Sequence, residues 1–418
     1  MKESMMLTTS LAKDKIKILL LEDLHPNAEN YFRKHGYNNI ECLKGALGGQ
    51  ELIDKIKDVH IIGIRSRTKL TADVFAAAEK LIAVGCFCIG TNQVDLNAAK
   101  RHGVPVFNAP YSNTRSVAEL VIGEIVMLMR GIPQRNTAAH AGQWLKNAKG
   151  AMELRGKVLG IVGYGHIGTQ VSVMAEAMGM KVRYFDIVDK LAMGNAEACS
   201  SLSELLSESD VVSLHVPQTT QTNNMFSHAE FFAMKKGAFF INAARGSVVD
   251  IDALKEALDE EQIAGAAIDV FPKEPATKDE EFVSPLRGMP NVILTPHIGG
   301  STLEAQANIG LEVAERLVKY SDNGSTLGAV NYVEVSLPVQ ESGKVTRFMH
   351  IHRNVPGVLS AINHVFSDAG LNISGQYLRT DGEYAYVVVD VDGRLPNAAE
   401  IRDKLEQIDG TLKVRYLI

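Results

Sequence analysis

The sequence predicts an α/β protein with two doubly wound layers, followed by a smaller α/β unit at the C-terminal end. Short apolar runs alternate with longer amphipathic stretches, a glycine-rich turn follows one of those runs, and residues 342–418 have a different rhythm. Parallel strands need crossover connections, usually helices, so the alternation favours parallel sheets covered on both faces. The length of 418 residues fits two or three domains.

Composition excludes several classes of function. The net charge of -6 argues against nucleic-acid binding, which needs clustered positive charge. No apolar run approaches the ~20 residues that span a bilayer, and the polar start does not resemble a secretory signal. Four cysteines in so long a chain do not make a disulfide framework, and Cys86 and Cys88 lack the second pair that a zinc site needs. We therefore expect a cytoplasmic protein without a metal, a membrane partner or a nucleic-acid partner.

The first layer is predicted from three apolar runs. Residues 16–21, 60–64 and 81–84 have the character of buried parallel strands, after a loose tail at residues 1–14. Residues 117–130 form a helix that is apolar on most of its circumference, as expected between two layers.

The second layer begins near Lys157. Its predicted strands are residues 158–162, 181–185, 211–215, 238–242, 265–269 and 292–295. A helix over residues 301–320 then leads into residues 321–325 (SDNGS), which have the composition of a flexible connector. The pattern leaves open whether this helix returns to the first layer and makes that domain discontinuous.

The C-terminal unit has the order β-α-β-β-α-β. Strands are predicted over residues 346–352, 373–379, 384–391 and 413–418, with one helix that ends at Gly370 and another over residues 398–408. This order is that of the ferredoxin-like arrangement.

Gly163, Gly165 and Gly168 match the dinucleotide pattern G-x-G-x-x-G. The pattern is weak alone, but here it follows a predicted strand and opens a helix, and the next strand ends in Asp186. The glycines permit a tight turn and the approach of a pyrophosphate, and the carboxylate accepts hydrogen bonds from a ribose. Because an anion repels a 2′-phosphate, NAD is favoured over NADP. The alternative is a glycine-rich turn that binds nothing.

Polar residues follow three later strands of this Rossmann-like layer. Arg245, Glu274 and His297 come after the strands near residues 241, 268 and 294, at the edge where open parallel sheets bind ligands. Oxidation of a secondary alcohol needs a base, and histidine has a suitable pKa. A carboxylate fixes the histidine tautomer, and an arginine holds a substrate carboxylate. Singly, each has an alternative: a structural histidine, a solvated loop charge and a turn residue.

These segments resemble the D-isomer-specific 2-hydroxyacid dehydrogenase family over nearly the whole chain. Residues 64–68 (IRSRT), 85–95 (GCFCIGTNQVD) and 113–119 (NTRSVAE) fit its substrate-domain motifs. The resemblance implies catalytic roles for Arg245, Glu274 and His297. It implies NAD contacts from Gly163, Gly165, His166, Ile167, Gly168, Asp186, His215, Val216, Pro217, Ala243, Ala244, Arg245, Asp269, His297, Ile298, Gly299 and Gly300.

The same resemblance implies a domain plan. A discontinuous substrate domain would span residues 1–112 and 301–341, an NAD-binding domain residues 113–300, and a regulatory ACT domain residues 342–418. It also implies that the two larger domains close around the ligand and that the protein is a homo-oligomer, with a tetramer favoured.

The substrate implied is D-3-phosphoglycerate, oxidised in the first step of phosphorylated L-serine biosynthesis. Its carboxylate and phosphate need cations and polar groups, for which Arg65, Ser66, Asn113 and Arg245 are the candidates. Arg67 flanks Ser66, and Lys44 and Lys146 are weaker candidates for the phosphate, since either fits an ordinary surface charge. Arg65 also fits a role restricted to the substrate carboxylate.

The ACT resemblance implies allosteric inhibition by L-serine bound between two such domains. His352, Asn354 and Asn372 are the implied contacts. Three alternatives remain: His350 and His352 as surface residues of an edge strand, Asn354 as a helix cap, and a unit that serves only dimerisation.

Two rival functions remain open on the sequence. One is another enzyme of the same family: a glycerate, lactate or formate dehydrogenase, or a 2-oxoglutarate reductase. The other is an NAD-sensing binding protein that uses the same fold to recognise protein partners.

Overall fold

Residues 11–275, 279–338 and 344–418 are described in the computed structural model. The chain divides into two units, Met1–Ser112 with Gln306–Ile418 and Asn113–Ala305. The first unit contains the N-terminal layer together with the C-terminal unit. The predicted domain bounds at residues 112/113 and 300/301 stay predictions, and the predicted boundary at residues 341/342 lies outside the described residues. The separate status of residues 342–418 as a domain therefore stays a prediction.

A parallel sheet of five strands forms the first layer. The strands are β1 (Ile18–Leu20), β2 (Ile40–Cys42), β3 (Ile61–Ile64), β4 (Ala83–Cys86) and β5 (Val106–Phe107). The helices are α1 (Pro26–Lys34), α2 (Gly49–Ile56), α3 (Ala72–Ala77) and α4 (Leu96–Arg101). The order β2-β1-β3-β4-β5 places the topological switch between β1 and β3, where such sheets bind ligands.

Seven parallel strands form the sheet of the second unit. In chain order its elements are α5 (Thr114–Arg130), α6 (Ile132–His140), β6 (Val158–Val162), α7 (His166–Ala177), β7 (Lys181–Phe185), β8 (Glu197–Ala198), α8 (Leu202–Glu208), β9 (Val211–Leu214), α9 (His228–Ala233), β10 (Ala238–Asn242), α10 (Ile251–Asp259), β11 (Ile263–Ile268) and β12 (Val292–Leu294). The order β12-β11-β10-β9-β6-β7-β8 reverses direction between β6 and β9. A Rossmann-like sheet with this switch point is thereby confirmed.

The remaining elements belong to the first unit, apart from the first turn of α11. They are α11 (Leu303–Asn323), β13 (Val345–Arg353), α12 (Val358–Asp368), β14 (Ile373–Thr380), β15 (Tyr384–Asp392), α13 (Ala398–Glu406) and β16 (Thr411–Leu417). The antiparallel order β14-β15-β13-β16 confirms the ferredoxin-like unit. Successive side chains of β13 point to opposite faces of the sheet and so belong to two hydrophobic cores. Phe348 packs with Ile362 and Phe366, whereas Met349 belongs to the core that contains Ile18.

The predicted flexible connector at residues 321–325 is wrong. The α11 helix continues to Asn323, and backbone carbonyls at its C-terminal end accept buried hydrogen bonds. The Arg347 guanidinium donates to the Asn323 carbonyl at 3.0 Å, and the Tyr386 hydroxyl donates to the Gly324 carbonyl at 2.6 Å. These tertiary partners override the local preference of the sequence for a turn.

Two further observations concern the described ranges. None of the helices there combines the length and apolarity needed to cross a membrane. The same residues contain no group of three or more histidine, cysteine, aspartate or glutamate side chains placed to hold a metal ion.

Candidate active site

All the predicted cofactor residues follow the carboxyl ends of strands in the seven-stranded sheet. Gly163–Gly168 follow β6, Asp186 follows β7, and His215–Pro217 follow β9. Residues 243–245 follow β10, Asp269 follows β11, and residues 297–300 follow β12. The parallel arrangement therefore brings these loops to a single edge of the sheet.

The three glycines of the turn have different surroundings. Gly163 has a φ of +93°, and a Cβ there would lie 2.6 Å from the His215 carbonyl oxygen. A Cβ on Gly168 would collide with the Gly163 carbonyl, because α7 packs closely on this strand. A Cβ on Gly165 would meet nothing within 4 Å. The first and third glycines thus close the turn, and the second leaves room for a pyrophosphate beside the N-terminus of α7.

Asp186 is bound to the same turn. Its Oδ2 accepts the Tyr164 backbone N–H at 2.8 Å, and its Oδ1 accepts the Val188 N–H at 3.0 Å. Each carboxylate oxygen has a further lone pair, so the side chain is held in one orientation and still has capacity for ribose hydroxyls.

His215 is held as a neutral imidazole. Burial lowers the pKa of His215 to about 4, and Nε2 lies 2.9 Å from the Ser213 hydroxyl. Its buried Nδ1 has no hydrogen-bond partner among the described residues. A polar atom in this position requires a partner, and a bound dinucleotide beside the open Gly165 would supply one. The loop residues therefore fit NAD, with Gly165, Asp186 and His215 as groups that would hold it.

Asp269 organises the loop that carries His297. The buried carboxylate accepts the Thr295 hydroxyl at 2.6 Å, the Ile298 N–H at 2.8 Å and the Gly299 N–H at 2.8 Å. Its backbone carbonyl accepts the His297 N–H at 2.8 Å. These bonds support a positioning role, and direct contact between Asp269 and the cofactor stays a prediction.

His297 and Glu274 are hydrogen-bonded. Nδ1 of His297 lies 2.9 Å from Oε2 and 3.1 Å from Oε1 of Glu274. The Glu274 bond raises the pKa of His297 above its ordinary value, outweighing the opposite effect of burial. Burial alone would raise the pKa of Glu274, but the bond and charge of His297, the Phe271 N–H and the Arg245 charge together outweigh it, so the pKa is lowered. Since Glu274 also accepts the Phe271 N–H at 3.1 Å, it is not merely a solvated loop charge.

Backbone geometry also fixes the histidine. His297 has a φ of 53°, a left-handed conformation that is uncommon for residues other than glycine. Its side chain remains 52% exposed, so Nε2 is accessible to a ligand. Conformations of this kind persist where surrounding bonds determine them, as the Asp269 bonds do here.

Arg245 belongs to the same electrostatic cluster. Its positive charge lowers the pKa of both Glu274 and His297. Gly246 packs so closely on Phe271 that a Cβ would collide with the Phe271 backbone. This contact joins the Arg245 loop to the loop that carries Glu274. The three predicted catalytic residues therefore lie in one charged cluster at the sheet edge.

The arrangement is suited to acid–base chemistry on a hydroxyl. Nδ1 donates to Glu274, which leaves Nε2 of the neutral imidazole as a proton acceptor. Glu274 would stabilise the imidazolium, and Arg245 would offer a guanidinium to a carboxylate and to the reacting oxygen. When bound, NAD supplies the acceptor for the hydride. This chain's own groups would bind, orient and deprotonate an alcohol.

The predicted substrate residues are distributed over the two units. Arg65 and Ser66 follow β3 in the first unit, where Arg65 is half-buried and Ser66 is exposed. Lys44 is exposed in the same unit, and Lys146 is exposed in the second. Asn113 precedes α5 beside Gly300, and its buried Oδ1 has no partner among the described residues. Their contact with a substrate stays a prediction.

The predicted effector residues lie in the ferredoxin-like unit. His352 is buried, with its Nδ1 3.0 Å from Nδ1 of His350. The edge-strand alternative is wrong, because β13 lies between β15 and β16 and both histidines are buried. The cap alternative for Asn354 is also wrong, since Gly357 is the cap residue of α12. Asn354 donates to the Gly382 carbonyl at 3.3 Å, and Asn372 donates to Asp392 at 2.6 Å.

Two buried carboxylates were not predicted from the sequence. Glu22 is buried directly after β1, and Glu124 is buried in α5. Burial, together with the negative charge of Asp269, raises the pKa of Glu124 to about 8. An acidic residue immediately after the apolar run at residues 18–21 was a usable signal for Glu22. Glu124 gave a weaker one, a lone charge within an otherwise apolar helix face.

A parallel sheet with a glycine-rich turn at its switch point and a histidine–carboxylate pair at the same edge defines a dinucleotide-dependent dehydrogenase. Residues 122–299 match the model of the D-isomer specific 2-hydroxyacid dehydrogenase NAD binding domain. Residues 348–413 match an ACT domain like that of the AHAS small subunit. The protein therefore contains an NAD-binding domain and an ACT domain.

Full-length relatives agree with these matches. The chain is 60% identical to the D-3-phosphoglycerate dehydrogenase of Haemophilus influenzae over 98% of each chain. It is 57% identical to that of Escherichia coli over 99% of this chain and 100% of the relative. A D-2-hydroxyisocaproate dehydrogenase structure superimposes with a TM-score of 0.68 at 27% identity, covering 76% of this chain and 100% of that one. The chain belongs to the D-isomer specific 2-hydroxyacid dehydrogenase family.

Proposed function

We propose that this protein catalyses the NAD-dependent oxidation of D-3-phosphoglycerate to 3-phosphohydroxypyruvate, the first step of phosphorylated L-serine biosynthesis. The observation that carries the proposal is the 2.9 Å bond between His297 and Glu274 at the edge of an NAD-binding sheet. Relatives at 57–60% identity over almost the whole chain are named as D-3-phosphoglycerate dehydrogenases. The chemistry and the choice of substrate thus have independent support.

The geometry and charges support the following proposed residue roles. Nε2 of His297 removes the proton of the C2 hydroxyl, and NAD, when bound, would accept the C2 hydrogen as hydride. Arg245 binds the substrate carboxylate and polarises the C–O bond. We propose that Arg65, Ser66 and Asn113 also contact the substrate, and that Arg67 carries charge for its phosphate, with Lys44 as a weaker candidate.

Substrate choice is tested by comparing turnover. NADH formation is measured with D-3-phosphoglycerate and with D-glycerate, and NADH consumption with 2-oxoglutarate. We expect the highest kcat/KM with D-3-phosphoglycerate. Higher kcat/KM with glycerate or 2-oxoglutarate would assign another substrate in the same family, and absence of turnover with all three would favour an NAD-sensing binding protein.

The ACT domain is proposed to bind L-serine as a feedback inhibitor at a contact between two subunits. Within one subunit, Asn354 lies near Gly382 at one end of β13, whereas Asn372 pairs with Asp392 beside the other end. The nine residues of β13 span roughly 30 Å, which is far more than one serine can bridge. A site with both asparagines therefore needs two copies of the domain, in a cytoplasmic homo-oligomer for which a tetramer is favoured.

Mixed oligomers test this shared site. Asn354→Ala and Asn372→Ala homo-oligomers should each require at least about tenfold more serine for half-inhibition, because each loses a hydrogen-bonding contact at every site. Oligomers mixed from the two variants contain some intact sites and should regain inhibition. Asn397→Ala, an exposed asparagine before α13, is the matched control. Mixed oligomers as insensitive as both parents would exclude a site shared between subunits.

A further inference from the structure

Glu22 forms an unusual turn directly after β1. Glu22 and Asp23 have φ values of 69° and 54°, so two consecutive residues other than glycine adopt the left-handed conformation. This conformation is sparsely populated for such residues and persists only where other contacts determine it. The contacts that determine it here come from the loops that follow both neighbouring strands, β2 and β3.

The carboxylate of Glu22 binds the loop after β3. It is 2% exposed and accepts the backbone N–H groups of Arg65, Arg67 and Thr68 at 3.2, 3.0 and 2.8 Å. Burial alone would raise the pKa of Glu22, but the hydrogen bonds from Thr68, Arg67 and Arg65 together outweigh it and hold the pKa below its ordinary value. The side chain is therefore a buried anion whose partners are loop amides.

The backbone of the same turn binds the loop after β2. The Glu22 N–H donates to the Gly45 carbonyl at 3.0 Å, and the Asp23 N–H donates to the Leu43 carbonyl at 3.2 Å. Lys44 lies between those two acceptors. Because β1 is paired with β2 on one side and β3 on the other, this turn is attached to both adjacent loops.

The side chains on these loops are left available. Lys44, Ser66 and Arg67 are exposed, although the backbone around them is fixed. The Arg67 guanidinium Nε lies 3.6 Å from Glu22 Oε2, so the carboxylate also offsets part of the positive charge. A loop whose amides are already occupied by a carboxylate must bind an incoming anion through its side chains.

We infer that Glu22 is a positioning residue that holds the Arg65–Arg67 loop and the Lys44 loop in the arrangement that receives the substrate phosphate. The inference rests on the proposed function, since it assigns the phosphate to these side chains. Removing the negative charge leaves amides unpaired and the cationic loops without their anchor. Loss of the Glu22 charge should therefore weaken recognition of the phosphate and leave the chemistry at C2 largely unchanged.

Glu22→Gln tests the inference. An amide replaces one acceptor oxygen with a donor that faces backbone N–H groups, so binding of the loop weakens. We expect KM for D-3-phosphoglycerate to rise at least about tenfold, with kcat and the Kd for NAD changed by less than about threefold. Turnover of D-glycerate, which has no phosphate, should change little, so the preference for the phosphorylated substrate falls. General loosening of the enzyme would lower both activities together.

Two further variants complete the experiment. Glu51→Gln makes the same chemical change at an exposed position of α2 and should behave as wild type. Glu22→Asp keeps the charge with a shorter reach and should partly restore the preference; it decides the question if Glu22→Gln does not fold. Hydrogen exchange of the amides at Arg67 and Thr68 should accelerate in Glu22→Gln. An unchanged preference between D-3-phosphoglycerate and D-glycerate in the folded variants would overturn the inference, whereas a wild-type enzyme inactive on D-3-phosphoglycerate would refute the proposed function itself.

Discussion

Nδ1 of His297 donates to Oε2 of Glu274 over 2.9 Å. This bond fixes which imidazole nitrogen carries the proton and directs the other nitrogen toward a ligand. It also stabilises the protonated imidazole, and so it raises the pKa of His297. A fixed tautomer and a raised pKa both suit a residue that would act as a base, accepting a proton and then releasing it.

Glu274→Gln should move the acidic limb of the pH profile. Neutral His297 is the active form of the base, so kcat/KM rises as pH increases through its pKa. The amide removes the negative charge that raises this pKa, while burial and Arg245 continue to lower it. We therefore expect a lower kcat/KM together with an acidic limb displaced to lower pH. Steady-state profiles between pH 5 and 9 measure both quantities, and an unmoved limb would separate Glu274 from the titration of His297.

Substitution of Gly165 should weaken NAD binding, whereas substitution of Gly168 should lower the stability of the protein. Gly165→Ala adds a methyl group in open space, so the melting temperature should stay near that of wild type while the Kd for NAD rises. Gly168→Ala forces a methyl group against the Gly163 carbonyl and should cost about 1–3 kcal/mol of stability. Thermal unfolding and calorimetric titration with NAD distinguish the two variants. Equal loss of stability in both would contradict the role of Gly165 as space for the pyrophosphate.

Glu124 should make stability depend on pH. Its pKa of about 8 in the folded protein lies above the ordinary carboxyl value of 4.5. Between those values the folded state keeps a proton that the unfolded state releases, so stability falls as pH rises. Glu124→Gln removes this titration and should gain on the order of 1–4 kcal/mol at pH 8 relative to pH 5. The melting temperature at both pH values measures the effect, and Glu119→Gln, exposed on the same helix, is the control.

An unchanged pH dependence in Glu124→Gln would show that this carboxyl is ionised in the folded protein. In that case a charged partner would have to accompany it. Neither carboxylate oxygen has a hydrogen-bond partner among the described residues, which favours the protonated form.

Periodicity and glycine spacing predicted the larger strands because those strands are buried and long. The predicted strand at residues 158–162 is confirmed as β6 with the same bounds. The short strands β2 and β5 were missed, since three half-exposed residues and a two-residue run after Pro105 carry almost no periodic signal. Strands of this size exist through their neighbours in the sheet rather than through local preference.

The site was predictable where polar residues follow apolar strands. Arg245, Glu274 and His297 satisfied that rule, and the structure places them in one charged cluster. The hydrogen bonds that hold the loops around the site were not predictable in this way. Asp269 binds backbone groups up to 30 residues away in the chain, and Glu22 binds amides 43 to 46 residues away. No local pattern encodes such pairings, because they depend on which strands become neighbours.

The most direct measurement is the rate of NADH formation by His297→Ala at saturating NAD and D-3-phosphoglycerate, with NAD affinity determined in parallel. Loss of a general base predicts a fall in kcat of about 10²–10⁴-fold. NAD binding should persist, because Gly165 and Asp186 remain. A variant that retains the wild-type kcat would contradict the assignment of His297 as the base.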